Sequence, residues 1–165
     1  MRAGWQAPGR QAAAPSERGG TLMVPAGYSG TPLVKKLGIR AGHAVAALNA
    51  PEGFAAWLGE LPEGARLRKS IGKAPDVVVV FATERARLHK QLHAAADAVY
   101  PDGAVWAAWP KKASKVPTDI TEDTVREVAL PRGLVDNKVC AISEVWSGLR
   151  VVWRKELRKG DRPPA

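Results

Sequence analysis

One cysteine, Cys140, stands among 165 residues, so no disulfide can close within the chain. That suits a reducing compartment, and the expected location is cytoplasmic. No apolar run reaches the roughly 18 residues that a membrane-crossing helix requires, so no membrane partner is expected. The N-terminus lacks the apolar stretch of a secretory signal. Residues 1–26 are rich in Ala, Gly, Pro and Arg and read as a disordered basic tail, with Met1 or Met23 as the true start. No internal repeat is visible. Acidic residues are the scarcer sign, 16 against 25 basic ones, leaving a net charge of +9. The excess is concentrated at the ends: residues 1–26 hold +2 and residues 154–165 hold +3, against +4 for all of 27–153. Nucleic-acid association is therefore expected to be weak and to act through the basic tails.

What is present is an alternation of short elements. In "SGTPLVKKLGI" Thr31 caps a short helix, Pro32 takes its first position and Gly38 ends it. Leu33, Val34 and Leu37 share its buried face, and Lys35 and Lys36 fall on the other. Residues 44–48 are small and apolar, as in a strand covered on both sides. Asn49 to Gly53 turn the chain into a helix bearing Phe54, Trp57, Leu58 and Leu61 at helical spacing. A short strand follows at Ala65–Arg68. "DVVVVFA", residues 76–82, reads as a central parallel strand. Thr83 caps the next helix, which runs to about Val99 and buries Leu88, Leu92, Ala95 and Val99. After a turn at Pro101–Gly103 comes the buried strand "AVWAAW". Thr121 caps a further helix that stops at Leu130–Pro131, with Ile120 and Val125 placed as a staple. "KVCAI" and "LRVVWRK" flank a connection too short for a crossover helix, so they form an antiparallel hairpin.

Strand–helix alternation of this kind predicts a single Rossmann-like α/β domain over residues 27–154. Its mostly parallel sheet has flanking helices and a C-terminal antiparallel hairpin, and residues 155–165 follow as a flexible basic tail. The stretch "DVVVVFATERARLHKQLHAAADAVYPDGAVWAAW" with the closing hairpin resembles the second half of a class I methyltransferase sheet. Five blocks, "YSGTPLVKKLGI", "NAPEGF", "WPKKASKVPTDITED", "GLVDNKVCAI" and "WSGLR", together resemble a family of small bacterial proteins filed as a domain of unknown function. That resemblance runs from about Tyr28 to Trp153. It implies the fold and the domain limits, and no reaction.

The methyltransferase resemblance implies an S-adenosylmethionine site, with a glycine-rich turn after the first strand and an acid closing the second. Here the turn "LNAPEGF" has Gly53 alone beside Pro51, and "ARLRKSIGK" offers Arg66, Arg68, Lys69 and Lys73 with no acid. No cofactor is identified on these residues, and the reading leans away from catalysis. A divergent methyltransferase-like enzyme is the alternative.

The stronger lead is "WPKKASKVPTD". Ligands of an open parallel sheet gather beyond the carboxyl ends of its strands. Residues leaving three strands meet there: Asn49, Glu52 and Gly53; Thr83; and Lys111, Lys112, Ser114 and Thr118. Lysines supply charge and hydroxyls supply donors, which suits an anionic small molecule or an anionic face of a protein partner. The bland reading is that Asp119, Glu122 and Asp123 simply neutralise the lysines.

Other candidates weigh less. His89 and His93 are spaced for a metal on a helix, with no third ligand nearby, so no metal is expected. Cys140, between Val139 and Ala141, reads as a small core residue with nothing local to lower its pKa. Ser147, His43 and Asp136 can be written as a triad, but "WSG" lacks the turn that exposes a nucleophile. Trp57, Trp106 and Trp153 fall on core patterns, whereas Trp109 and Trp146 sit at strand ends and line a pocket or a partner surface, or simply cover the end of the core.

Overall fold

Val77–Phe81 is buried at every position, as a strand must be when helices cover both its faces. It forms β3 of a six-stranded sheet in the structure, a computed structural model that describes residues 30–165. The other strands are β1 (Ala44–Leu48), β2 (Arg66–Arg68), β4 (Ala104–Pro110), β5 (Leu134–Ala141) and β6 (Trp146–Trp153). Their order is β2-β1-β3-β4-β6-β5. The first four in that order run parallel, and β6 is antiparallel to both its neighbours. The fold is thus Rossmann-like and mostly parallel, closed by an antiparallel hairpin. Residues Thr31–Ala165 make one compact unit. The expected tail over 1–26 lies outside the described residues.

Side-chain alternation divides the core in two. On one face Ala46, Val78, Val80, Val105, Ala107 and Trp109 pack with α3 (Arg85–Val99) and α4 (Glu122–Ala129). On the other, Val45, Ala47, Val79, Phe81, Trp106 and Ala108 pack with α1 (Leu33–Lys36) and α2 (Phe54–Leu58). Trp106 and Trp153 are fully buried, so each must find an acceptor for its one indole donor. Trp106 donates to Leu37 O at 3.0 Å and Trp153 to Ala96 O at 2.8 Å. Thr121 caps α4 in a reciprocal pair with Thr124, and Ile120 and Val125 are both buried beneath that turn.

Several local expectations need correction. Helix α1 starts one residue late: Pro32 occupies its N-cap position, and Thr31 makes no cap. Lys36 is buried rather than solvated, with Nζ 3.5 Å from Ala141 O; its long stem carries the charge across apolar surface to a strand carbonyl. Helix α2 ends at Leu58 because Gly59 adopts φ 73, so Leu61 packs on the core from outside the helix. Trp57 is 38% exposed and is not core, whereas Trp109 is buried and covers the end of the core instead of lining a pocket. In β5 the register shifts between Asp136 and Lys138, a bulge at Asn137. After β6, Leu157 O accepts from the Tyr100 hydroxyl at 2.5 Å, and the same hydroxyl accepts from Gly160 N at 3.1 Å.

Candidate functional site

Strands β1, β3 and β4 are parallel neighbours, so the turns that leave them emerge on one edge of the sheet. The chain passes from β1 to β2 on one side and then returns to β3 on the other. The point of reversal lies between the ends of β1 and β3, where a crevice opens in folds of this type. Asn49 stands at that point. It adopts φ 58, a left-handed conformation that asparagine tolerates better than most residues. Its amide donates to Phe81 O at 3.3 Å and to Gln91 Oε1 at 2.7 Å. One side chain thereby links the ends of β1 and β3 to the middle of α3.

Beside Asn49 lies an open cleft of about 370 Å³. Leu48 and Asn49 form its back, Lys69, Ser70 and Ile71 one wall, and Lys90, Gln91 and Ala94 of α3 the other. The wall after β2 is shaped by Arg68. Its Nη2 donates to Ile71 O at 2.7 Å and Lys73 O at 2.8 Å, gathering the loop around the guanidinium. Gly72 has φ 60, and a Cβ there would sit 2.8 Å from Arg68 Cζ, so a larger residue would be strained and would push the guanidinium aside. Arg68 is therefore a structural arginine, and Lys69 and Lys90 are the charges left to face the cleft. Neither lysine has an ion-pair partner among the described residues, and no carboxylate lines the cleft.

The rest of the expected site is on the same edge but outside this cleft. Gly53, at φ 100, heads α2, and Trp57 Nε1 would lie 3.4 Å from a Cβ added to it; Glu52 beside it is exposed. Thr83 does not cap α3. Helix α3 begins after Glu84, which supplies no side-chain cap. Its first free amide, Arg85 N, is bound at 2.7 Å by Asp119 Oδ1 from the lysine loop. Thr83 O instead accepts from Thr118 Oγ1 at 2.7 Å and from Asp119 N at 3.3 Å. Ser114 Oγ donates to Lys111 O at 2.6 Å within a 3-10 turn over Lys112–Ser114. The hydroxyls of Ser114 and Thr118 thus hold the loop together.

The acids of this loop do not neutralise its lysines. Asp119 caps α3, and Glu122 and Asp123 both pair with Arg126. Lys111, Lys112 and Lys115 have no ion pair among the described residues.

The lesser candidates disperse. Asp136 pairs with Arg126 at 3.1 Å, and Ser147 sits opposite Trp109 at the carboxyl edge. His43 Nδ1 accepts from Arg40 N before β1 starts, at the opposite edge. His89 and His93 lie with ring centroids 4.2 Å apart and planes tilted by 39°, and His93 Nε2 lies 3.0 Å from Val128 O. No group of His, Cys, Asp and Glu able to hold a metal occurs among the described residues. The cleft itself is not visible in the sequence, since Lys69 and Lys90 belong to different elements. The signal available is the run "LRKSIGK", basic where the methyltransferase pattern has an acid.

No family model matches the chain, and no curated protein matches it. Among solved structures, it is similar to an SAM-dependent methyltransferase from Aquifex aeolicus, with 12% identity and a TM-score of 0.49 over 72% of this chain and 86% of that one. It is also similar to magnesium protoporphyrin IX methyltransferase from Synechocystis PCC 6803, with 11% identity and a TM-score of 0.48 over 74% of each chain.

Proposed function

We propose that this protein binds a small molecule carrying phosphate or carboxylate groups in the cleft beside Asn49, and does so without catalysis. One observation carries the reading: at the reversal point of the sheet, two lysines without ion-pair partners among the described residues face a cleft whose described lining contains no carboxylate. Ser70 and Gln91 supply donors for orientation, and Asn49, whose two amide hydrogens are already engaged, holds Gln91 in place. The N-terminus of α3 is not part of the site, because Asp119 already occupies it. Lys111 and Lys112 stand at the end of β4, two strand spacings from β1, or roughly 10 Å along the edge. They add a second attachment point for a longer anion or for an acidic partner surface.

Isothermal calorimetry with pyrophosphate and with citrate tests this reading. Two charge-assisted contacts, each of about 1.5–3 kcal/mol, predict that Lys69→Ala with Lys90→Ala weakens binding by more than tenfold. Lys111→Ala with Lys112→Ala weakens only ligands long enough to reach β4. If neither anion binds the unaltered protein at millimolar concentration, the reading fails.

A divergent methyltransferase is the second reading, favoured by the order of the strands and by the position of the cleft. The residues present do not fit S-adenosylmethionine. The acid that should hold ribose hydroxyls at the end of β2 is replaced by Arg68. The turn after β1 keeps one glycine, with Trp57 folded against it. Calorimetry with S-adenosylmethionine decides the matter: saturable binding restores the enzyme reading, and silence at millimolar ligand removes it.

A further inference from the structure

The other face of the sheet, at its other edge, carries a second set of cations without ion-pair partners among the described residues. Leu149, Val151 and Trp153 of β6 point into the α3 side of the core, so Arg150 points to the α1 side. It is half-buried in mid-strand, and its side chain makes no ion pair among the described residues. Directly opposite it in register, on β5, is Lys138. Like charges facing each other across a strand pair destabilise a sheet. On its other side Arg150 is in register with Trp106 of β4. The bond from Trp106 Nε1 to Leu37 O anchors the end of α1 over that point, which brings the exposed Arg40 alongside. Arg158 reaches the same region from beyond β6, with Nε donating to Trp153 O at 2.8 Å.

We infer that Arg40, Lys138, Arg150 and Arg158 form a strip that binds the phosphodiester backbone of nucleic acid. None of these four side chains makes an ion pair with an acid among the described residues. Burial, then Arg40 and Arg158, pull the Arg150 pKa below its ordinary value, as expected for a guanidinium among cations with no counter-charge. Arg40 and Lys138 are exposed, so the strip is open. An open row of cations holds an isolated phosphate weakly, whereas a polyanion engages every member and releases its own counterions. Arg158 also belongs to the terminal segment 154–165, whose five basic and two acidic residues extend the same sign of charge. The strip is separate from the anion cleft in face and in edge, and it stands or falls independently.

Fluorescence anisotropy with a labelled single-stranded DNA of about 20 nucleotides, over a salt series, tests the strip. The unaltered chain should bind, with affinity falling steeply as salt rises. Lys138→Gln with Arg150→Gln should weaken binding about tenfold and flatten the logarithmic salt slope by about 1.4, the share of two neutralised phosphates. Arg66→Gln with Arg87→Gln removes the same charge from distant exposed sites and should change affinity less than threefold. The melting temperature of the Arg150→Gln protein should hold or rise, because a repulsion is relieved; if the double variant is poorly folded, Lys138→Gln alone carries the measurement. Absence of binding by the unaltered chain overturns the inference, as does equal loss in both double variants. Equal affinity for a polyglutamate peptide of matching charge overturns the assignment to nucleic acid.

Discussion

Cys140 shows how little a side chain's sequence neighbours say about its chemistry. Between Val139 and Ala141 it reads as inert core, with nothing to lower its pKa. In space Lys36 and Lys138 both act to lower it, and burial outweighs them, so the thiol is pushed above its ordinary value. Thiolate is the reactive form. Alkylation by iodoacetamide at pH 7.5 should therefore run several-fold slower than for an exposed cysteine, and should accelerate as pH rises beyond the usual thiol range. An equal rate at neutral pH would contradict this balance. Lys36 and Arg68 teach the same lesson. The helical pattern assigns Lys36 to solvent, and its burial depends on a carbonyl in β5, over a hundred positions away. The position of Arg68 at the end of β2 is legible in the sequence, but its use as the hub of its own loop is not.

At the level of elements, patterning does well wherever a segment is buried along its length. The valines of β3, the leucines of α3 and the antiparallel hairpin all follow from apolar periodicity and connection length. Helix ends are harder to read, because a cap need not be local. Thr121 caps α4 from the adjoining residue and is legible. The cap of α3 comes from Asp119, 34 positions away, and a scan for Ser or Thr before the helix points to Thr83 instead. Asp119→Ala should destabilise the protein by about 1 kcal/mol, read as a lower urea midpoint with an unchanged m-value. Asp119→Asn should keep much of the cap, since an amide oxygen still accepts from Arg85 N. If Asp119→Ala leaves the midpoint unmoved, the loop is not what ends the helix.

Across the whole molecule, alternation of strands and helices is enough to anticipate the sheet. It is not enough to anticipate the cleft, whose walls come from β2 and α3 and meet only once the strand order is set. Nor does it reveal how the segment beyond β6 packs. Leu157 lies against the core, and the Tyr100 hydroxyl bonds both to its carbonyl and to Gly160 N. A chain ending at Trp153 should therefore melt lower, by about 2–4 °C for each kcal/mol lost. An unchanged midpoint would mean that residues 154–165 add nothing to the folded state. Strand order also decides what the sheet offers at its rims. Of the two outermost strands, β2 has three residues, two of them arginine, and β5 is broken by a bulge next to a lysine. Both rims are thus poor templates for a foreign strand, so the chain can carry a wholly apolar centre without inviting its own copies to extend it into a fibre.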